Sequence, residues 1–299
     1  MMNHFVFIES DRLLQTAFEK SYSPSLITLS FIVAIMAAYT SFLLSERMRA
    51  TEIKWIKVAW LSAGTVALGG GIWSMHFIGM LALTLPVPVH YDVTITLASI
   101  VPGLLASLVV LISGCSKKCT ARKMFFRAIL MGSGIGLMHY MGMAAMRMDA
   151  LMRYDPLVFS ASILIAVALS FLSLSLKQWA EFSKQHSLTY QQGILVAAIV
   201  MGCAITSMHY TGMAAVHYFP LDVEMMDHSN HLAWETKSLG ILIGLVVGGV
   251  LILLISSVFI SRRIALMNKL QASEAQLKAV RSEERRVGKE GRSRGSPYH

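Results

Sequence analysis

Seven apolar runs, at residues 26–44, 58–83, 93–113, 124–146, 157–176, 193–218 and 239–260, set the limits on what this chain can fold into. Each approaches or exceeds the ~20 residues that a helix needs to cross ~30 Å of hydrocarbon. A backbone in lipid must satisfy its own polar groups, so such runs are helices or barrel strands, and the lack of period-two alternation selects helices. Only 14% of the residues are charged, where a soluble domain carries about 25%. The expectation is an all-α, polytopic membrane protein with seven transmembrane helices. Pro102 lies inside the third run and predicts a kink there.

The net charge of +9 does not indicate nucleic-acid binding. The basic residues lie between the runs and in the tail, where membrane topology accounts for them. Arg47, Arg49, Lys54, Lys57, Lys117, Lys118, Arg122, Lys123, Arg127, Lys177 and Lys184 flank one set of run ends. Only Arg12, Lys20, Arg147, Arg153 and Lys237 flank the other. Positive-inside bias then places the N-terminus outside and the C-terminus in the cytoplasm. Residues 1–24 carry Glu9, Asp11, Arg12, Glu19 and Lys20 and do not read as a signal peptide. The spans hold almost no acidic or basic side chains, which counts against a proton pump or an ion-coupled transporter. Cys115 and Cys119 form a CxxxC in a short basic loop, and without His or acidic company they make a weak metal or redox site.

Three stretches align without gaps. They begin at Leu68-Gly69, Met131-Gly132 and Met201-Gly202 and end at Gly79-Met80, Gly142-Met143 and Gly212-Met213. Their histidines, His76, His139 and His209, are 63 and 70 residues apart. That period is one helix pair, so the architecture reads as repeated two-helix units plus a final helix. All three copies lie in the outward half of an inside-to-outside helix, at one shared depth. At about 100° per residue, Met, His, Gly and the last Met of each copy share a face, with the aromatic residue at its edge. The candidate ligands are Met75, His76, Met80, Met138, His139, Met143, Met208, His209 and Met213. The glycines remove bulk and let three such helices approach closely.

Imidazole and thioether form a soft donor set. With no carboxylate or thiolate beside them they favour copper over zinc, calcium or magnesium, and haem is the main rival, since His and Met both serve as axial ligands. A Met-rich apolar stripe is more often packing than a cofactor site. Three copies at one depth shift the reading to a shared functional site.

At these residues the chain resembles the MHYT family of bacterial integral membrane sensor domains. The likeness covers about residues 25–260. The namesake triplet matches Met138-His139-Tyr140 and Met208-His209-Tyr210, while the first copy has Phe77 in place of Tyr. The resemblance implies a sensor in the bacterial cytoplasmic membrane that holds copper through the motif residues and detects oxygen, carbon monoxide or nitric oxide at the outer face. It also implies a connection to cyclic di-GMP turnover through cytoplasmic PAS, GGDEF or EAL domains, none of which is visible in this sequence.

His217 stands eight residues after His209 and, on a continuing helix, would extend the site. The segment from Met225 to His231 has metal-capture composition but reads as a loop. Leu266, Leu270, Ser273, Leu277 and Val280 form an a/d seam, so residues 261–280 read as a coiled-coil linker that would pair two copies of the chain. Residues 281–299 lose the pattern and read as a disordered or non-native tail. No catalytic motif is visible, so the chain reads as a sensor and not an enzyme. A membrane oxidoreductase would need a second redox motif. A copper transporter would need ligands along a path through the bilayer, where these cluster at one depth.

Overall fold

The computed structural model describes residues 7, 16–113, 120–182, 187–220, 233–234 and 236–294. Cys115, Cys119 and the Met225–His231 segment lie outside the described residues. The chain divides into two bodies, Met1–Leu254 and Ile255–His299.

The first body holds helices α1 (Pro24–Ala50), α2 (Lys54–Ala82), α3 (Val93–Ala98), α4 (Ile100–Ser113), α5 (Ala121–Ala144), α6 (Pro156–Phe182) and α7 (Ser187–Ala215). A last helix, α8 (Thr236–Arg294), begins in the first body and supplies the helix of the second. Among the described residues six helices are long and apolar enough to cross a membrane. The expected span at 124–146, now α5, is not among them, because Arg127, His139 and its glycines make it less apolar. Large apolar side chains such as Trp55, Leu157, Leu164 and Leu245 face outward, as lipid contact requires. The chain is therefore an all-α, polytopic membrane protein.

Short strands accompany the helices. They are β1 (Ser21–Tyr22), β2 (Leu83–Thr84), β3 (His90–Asp92), β4 (Met146–Arg147), β5 (Ala150–Tyr154), β6 (Val216–Pro220) and β7 (Ala233–Trp234). The first six pair antiparallel as β1–β2, β3–β4 and β5–β6, and β7 adds to β3. Each pair closes one repeat, which runs strand, helix, helix, strand. A backbone bond fastens each closure: Ser23 N–H to Ala82 O at 2.9 Å, Asp92 N–H to Ala145 O at 2.8 Å, and Asp155 N–H to Ala215 O at 2.8 Å. The three acceptors each stand six residues after their motif histidine.

The start of each unit is written in its caps. Asp92 accepts from Ile95 N–H, and Asp155 accepts from Leu157 and Val158 N–H. These bonds satisfy donors that a helix start otherwise leaves orphaned. Pro24 and Pro156 occupy the first helical position, where a missing N–H costs nothing. In the second unit the outer span is broken between Ala98 and Ile100. Pro102 has no N–H to offer the Ala98 carbonyl, so the expected kink falls one turn before it.

The units form a closed ring. The helices α2, α5 and α7 touch one another, while α1 packs on α2 and α7, α4 on α2 and α5, and α6 on α5 and α7. Three equivalent glycines set the seams. A Cβ on Gly69 would lie 2.8 Å from Leu104 Cα, one on Gly132 2.7 Å from Val167 Cα, and one on Gly202 3.0 Å from Ile35 Cα. Each inner helix thus meets the outer helix of the next unit, and the third returns to the first. The arrangement is pseudo-threefold.

At the end of the bundle opposite the strands, α1 and α6 run beyond the apolar runs and pair their charges. Arg49 forms a two-pronged ion pair with Glu181, and Lys177 meets the same carboxylate at 3.0 Å. Arg127 donates to Val110 O at 3.1 Å near the end of α4. In the second body, the helix continues through Arg294, past residue 280, where the sequence pattern stops. Residues 295–299 lie outside the described residues.

Candidate metal centre

The three motif histidines meet at one point. His76, near the end of α2, faces His139 near the end of α5 and His209 near the end of α7. Their Nδ1 atoms form a nearly equilateral triangle with sides of 3.1, 3.1 and 3.2 Å. The imidazoles are almost perpendicular to one another, at 84° to 87°. All three are buried to within 1% of complete exclusion from solvent. Helix geometry places the triad about 9 Å below the strand-capped end. The shared depth read from the sequence is present, and the three motifs make one site.

The triangle poses an electrostatic problem. A neutral imidazole nitrogen is either an N–H donor or a lone-pair acceptor, never both. Of three such nitrogens in mutual contact, at most one usefully carries a proton, and the lone pairs of the others then face each other. A cation at the centre resolves this for all three at once. The point equidistant from the three nitrogens lies about 1.8 Å from each, close to the ~2.0 Å of a metal–imidazole bond. The residues fit a small metal ion, and His76, His139 and His209 are the cluster that can hold one among the described residues.

The six candidate methionines are all buried as well. Met138 Cγ packs 3.8 Å from the Cβ position of Gly103 on α4, and the Met208 methyl lies 3.5 Å from that of Gly136 on α5. Each histidine has its own motif aromatic edge-on, with ring centroids 4.7 to 4.8 Å apart. The tyrosines also tie units together: Tyr140 Oη meets Ser162 Oγ and Tyr210 Oη meets Ser30 Oγ, both at 2.8 Å. At the third seam Phe77 has no hydroxyl, and Trp73, one turn earlier, donates from Nε1 to Thr96 O at 3.0 Å instead. The sequence reading missed the serines. Ser30, Ser99 and Ser162 each stand seven residues after Ser23, Asp92 and Asp155, and that spacing was the available signal.

His217 does not extend the site. Helix α7 stops at Ala215, and His217 lies on β6 opposite Arg153. A strand replaces the continuing helix, so the two-turn spacing no longer applies. There burial and the nearby Lys20 ammonium hold its pKa below the ordinary imidazole value, against the pull of Asp155. Lys20 itself donates to Met213 O and Val216 O at 3.0 and 2.8 Å, capping the end of α7 with a cation.

Comparison with known proteins gives a concordant result. The family model MHYT, described as "Bacterial signalling protein N terminal repeat", matches residues 69–125 and 132–190. Those stretches begin at Gly69 and Gly132, equivalent positions of two of the three units. The bifunctional diguanylate cyclase/cyclic di-GMP phosphodiesterase MucR of Pseudomonas aeruginosa is 44% identical over 67% of this chain and 29% of its own length. The cyclic di-GMP phosphodiesterase NbdA of the same organism is 34% identical over 72% of this chain and 28% of its own. The signaling protein YkoW of Bacillus subtilis is 33% identical over 81% of this chain and 30% of its own. The chain thus spans under a third of the length of these relatives. No solved structure matches it.

Proposed function

The chain belongs to the MHYT family of bacterial signalling proteins, and from that premise we propose that its histidine triad binds one copper ion and reports a diatomic gas. It is a multi-pass membrane sensor domain, and copper and gas are the finer reading. The observation that carries this reading is the triangle of Nδ1 atoms at 3.1 to 3.2 Å. Three neutral nitrogen donors, with thioethers as the remaining soft groups, suit copper better than zinc, which takes four ligands in structural sites. Haem is disfavoured, because imidazoles in mutual contact leave no width between them for a macrocycle. Bound copper would supply an open coordination position for oxygen, carbon monoxide or nitric oxide.

The chain's own residues do the rest. His76, His139 and His209 bring one nitrogen each from three helices. Met75, Met80, Met138, Met143, Met208 and Met213 keep the surroundings apolar and offer sulfur as further ligands. Burial excludes water. Positive-inside bias puts the strand-capped end outside and the Arg49–Glu181–Lys177 end in the cytoplasm of the bacterial inner membrane. Helix α8 would then carry the signal inward. Its exposed Leu266, Leu270 and Leu277 would pair with a second copy. MucR and NbdA are named for cyclic di-GMP turnover, which supports an output of that kind.

The test is to purify the protein, measure its metals and optical spectrum, and repeat with His76, His139 and His209 changed to Ala. Copper in the parent and none in the triple variant is the expected result. A Soret band would replace copper by haem, and equal metal content in both proteins would defeat the assignment. A reporter fused after α8 should be active only in the cytoplasm, and the opposite result would invert the topology.

A further inference from the structure

We infer that Gly79, Gly142 and Gly212 are positioning residues of the triad, each seating the imidazole of a neighbouring helix and thereby turning that ring's Nδ1 to the axis. The inference deepens the metal-site reading and rests on it for the nature of the ion.

The contacts run in a cycle. A Cβ on Gly142 of α5 would fall 2.2 Å from His76 Nε2 of α2. One on Gly212 of α7 would fall 2.4 Å from His139 Nε2 of α5, and one on Gly79 of α2 would fall 2.1 Å from His209 Nε2 of α7. The same hypothetical Cβ atoms come within 2.7 to 2.9 Å of the ring Cδ2 atoms. These are distances that no side chain tolerates, so each seat exists only because the residue is Gly. No glycine serves the histidine of its own helix, which lies three residues earlier.

The seat fixes which nitrogen faces inward. The far edge of each ring, carrying Nε2, is pressed against the neighbouring backbone, and the near edge, carrying Nδ1, is left toward the centre. None of the Nε2 atoms reaches a hydrogen-bond partner of good geometry. A metal-bound histidine usually donates its other N–H to such a group, which holds the ring in one orientation. Besides letting the helices approach, these glycines therefore set the direction of the three donors. The cycle also couples the rings, since moving one opens or blocks a seat on another helix.

The inference is tested with isotope-labelled histidine NMR on the full chain, first without metal and then with Cu(I) or Zn(II) as probe ions. Gly142→Ala should displace the ring signals of His76 most, Gly212→Ala those of His139, and Gly79→Ala those of His209. Metal-loaded parent protein should show Nδ1 linkage at all three rings. Each variant should lose about 10- to 100-fold in affinity for the probe ion, the usual cost of disturbing a ligand's support. Gly136→Ala, on α5 but with only ordinary contacts at 3.4 to 3.5 Å, should behave as the parent. Should Gly142→Ala fail to fold, adding His76→Ala should restore folding, because the clash partner is gone. Nε2 linkage in the parent would overturn the inference. So would a Gly142→Ala effect centred on His139, or one equally damaging with and without His76. If the parent binds neither ion, the metal reading fails, yet the cyclic order of the metal-free signals still decides the glycines' role.

Discussion

The Tyr210 hydroxyl meets Ser30 Oγ at 2.8 Å and so fastens the last inner helix to the first helix of the chain. Tyr140 and Ser162 repeat the bond one seam earlier. Hydrogen bonds between membrane helices average about 0.6 kcal/mol and reach about 1.7. Tyr210→Phe and Tyr140→Phe should each cost about that much, read as a lower Tm in detergent. Trp73→Phe should cost more, because it loses the bond to Thr96 O at the third seam and also leaves a cavity at a fully buried position. No loss in any of the three would mean that the seams are held by packing alone.

The roles of His and Met at the metal centre should separate in affinity. Removing His76, His139 or His209 takes away one of three converging nitrogens, and each single change to Ala should weaken Cu(I) binding by at least about 100-fold. Changing Met75, Met80, Met138, Met143, Met208 or Met213 singly to Leu should cost about 10-fold or less, as for support around a site. Competition with a chromophoric Cu(I) chelator measures both. A Met→Leu loss as large as a His→Ala loss would make that sulfur a primary ligand.

Glu181 answers both Arg49 and Lys177, and Lys177 is almost fully enclosed. Glu181→Gln would remove the carboxylate that Arg49 and Lys177 share. Breaking a buried pair costs about 3–5 kcal/mol, and the remaining exposure of Glu181 brings the expected loss to about 2–3. Thermal unfolding of the variant measures it. An unchanged Tm would show that solvent already screens this cluster.

Acid should loosen the strand-capped end at Asp92. Burial alone would raise its pKa, but the Ile95 N–H and the Arg147 guanidinium outweigh that and hold the carboxyl below its ordinary value. A carboxyl depressed in the fold stabilises it above the unfolded value of about 4, and that stabilisation disappears as pH falls further. Protection of the Ile95 amide, taken relative to its intrinsic exchange at each pH, should therefore hold from neutral pH down to about 5 and fall below about 4. In Asp92→Asn the protection should be lower and should not change over this range.

Pairing through α8 predicts that Ser273→Cys, on the a/d seam, forms disulfide-linked dimers under mild oxidation. Leu270→Glu should abolish them. Monomers in both would remove the coiled coil from the scheme.

Much of this was legible in the sequence. Long apolar runs announce helices wherever a backbone must satisfy itself in lipid, and a triplet repeated at 63 and 70 residues announces equivalent units. The rest depends on contacts between segments. Two-residue strands such as Ser21–Tyr22 carry no periodicity of their own. His217 continued the helical count from His209, yet the closure of β6 on β5 took precedence over that count. Helical phase put Gly142 on the face of His139, while only the ring of helices reveals that it serves His76. Lys177 read only as one of the basic residues at a run end, and its pairing with Glu181 and Arg49 required knowing that α1 and α6 converge.

Three equivalent units have no preferred direction, and a change felt equally by three histidines cannot by itself point anywhere. Helix α8 supplies the missing choice. Its Val246 lies 3.2 Å from the Cβ position of Gly70 on α2. Helix α2 also carries Phe77, the one motif aromatic without a hydroxyl. If the chain senses as proposed, the Val246 contact would give the message a way out on the side of α2.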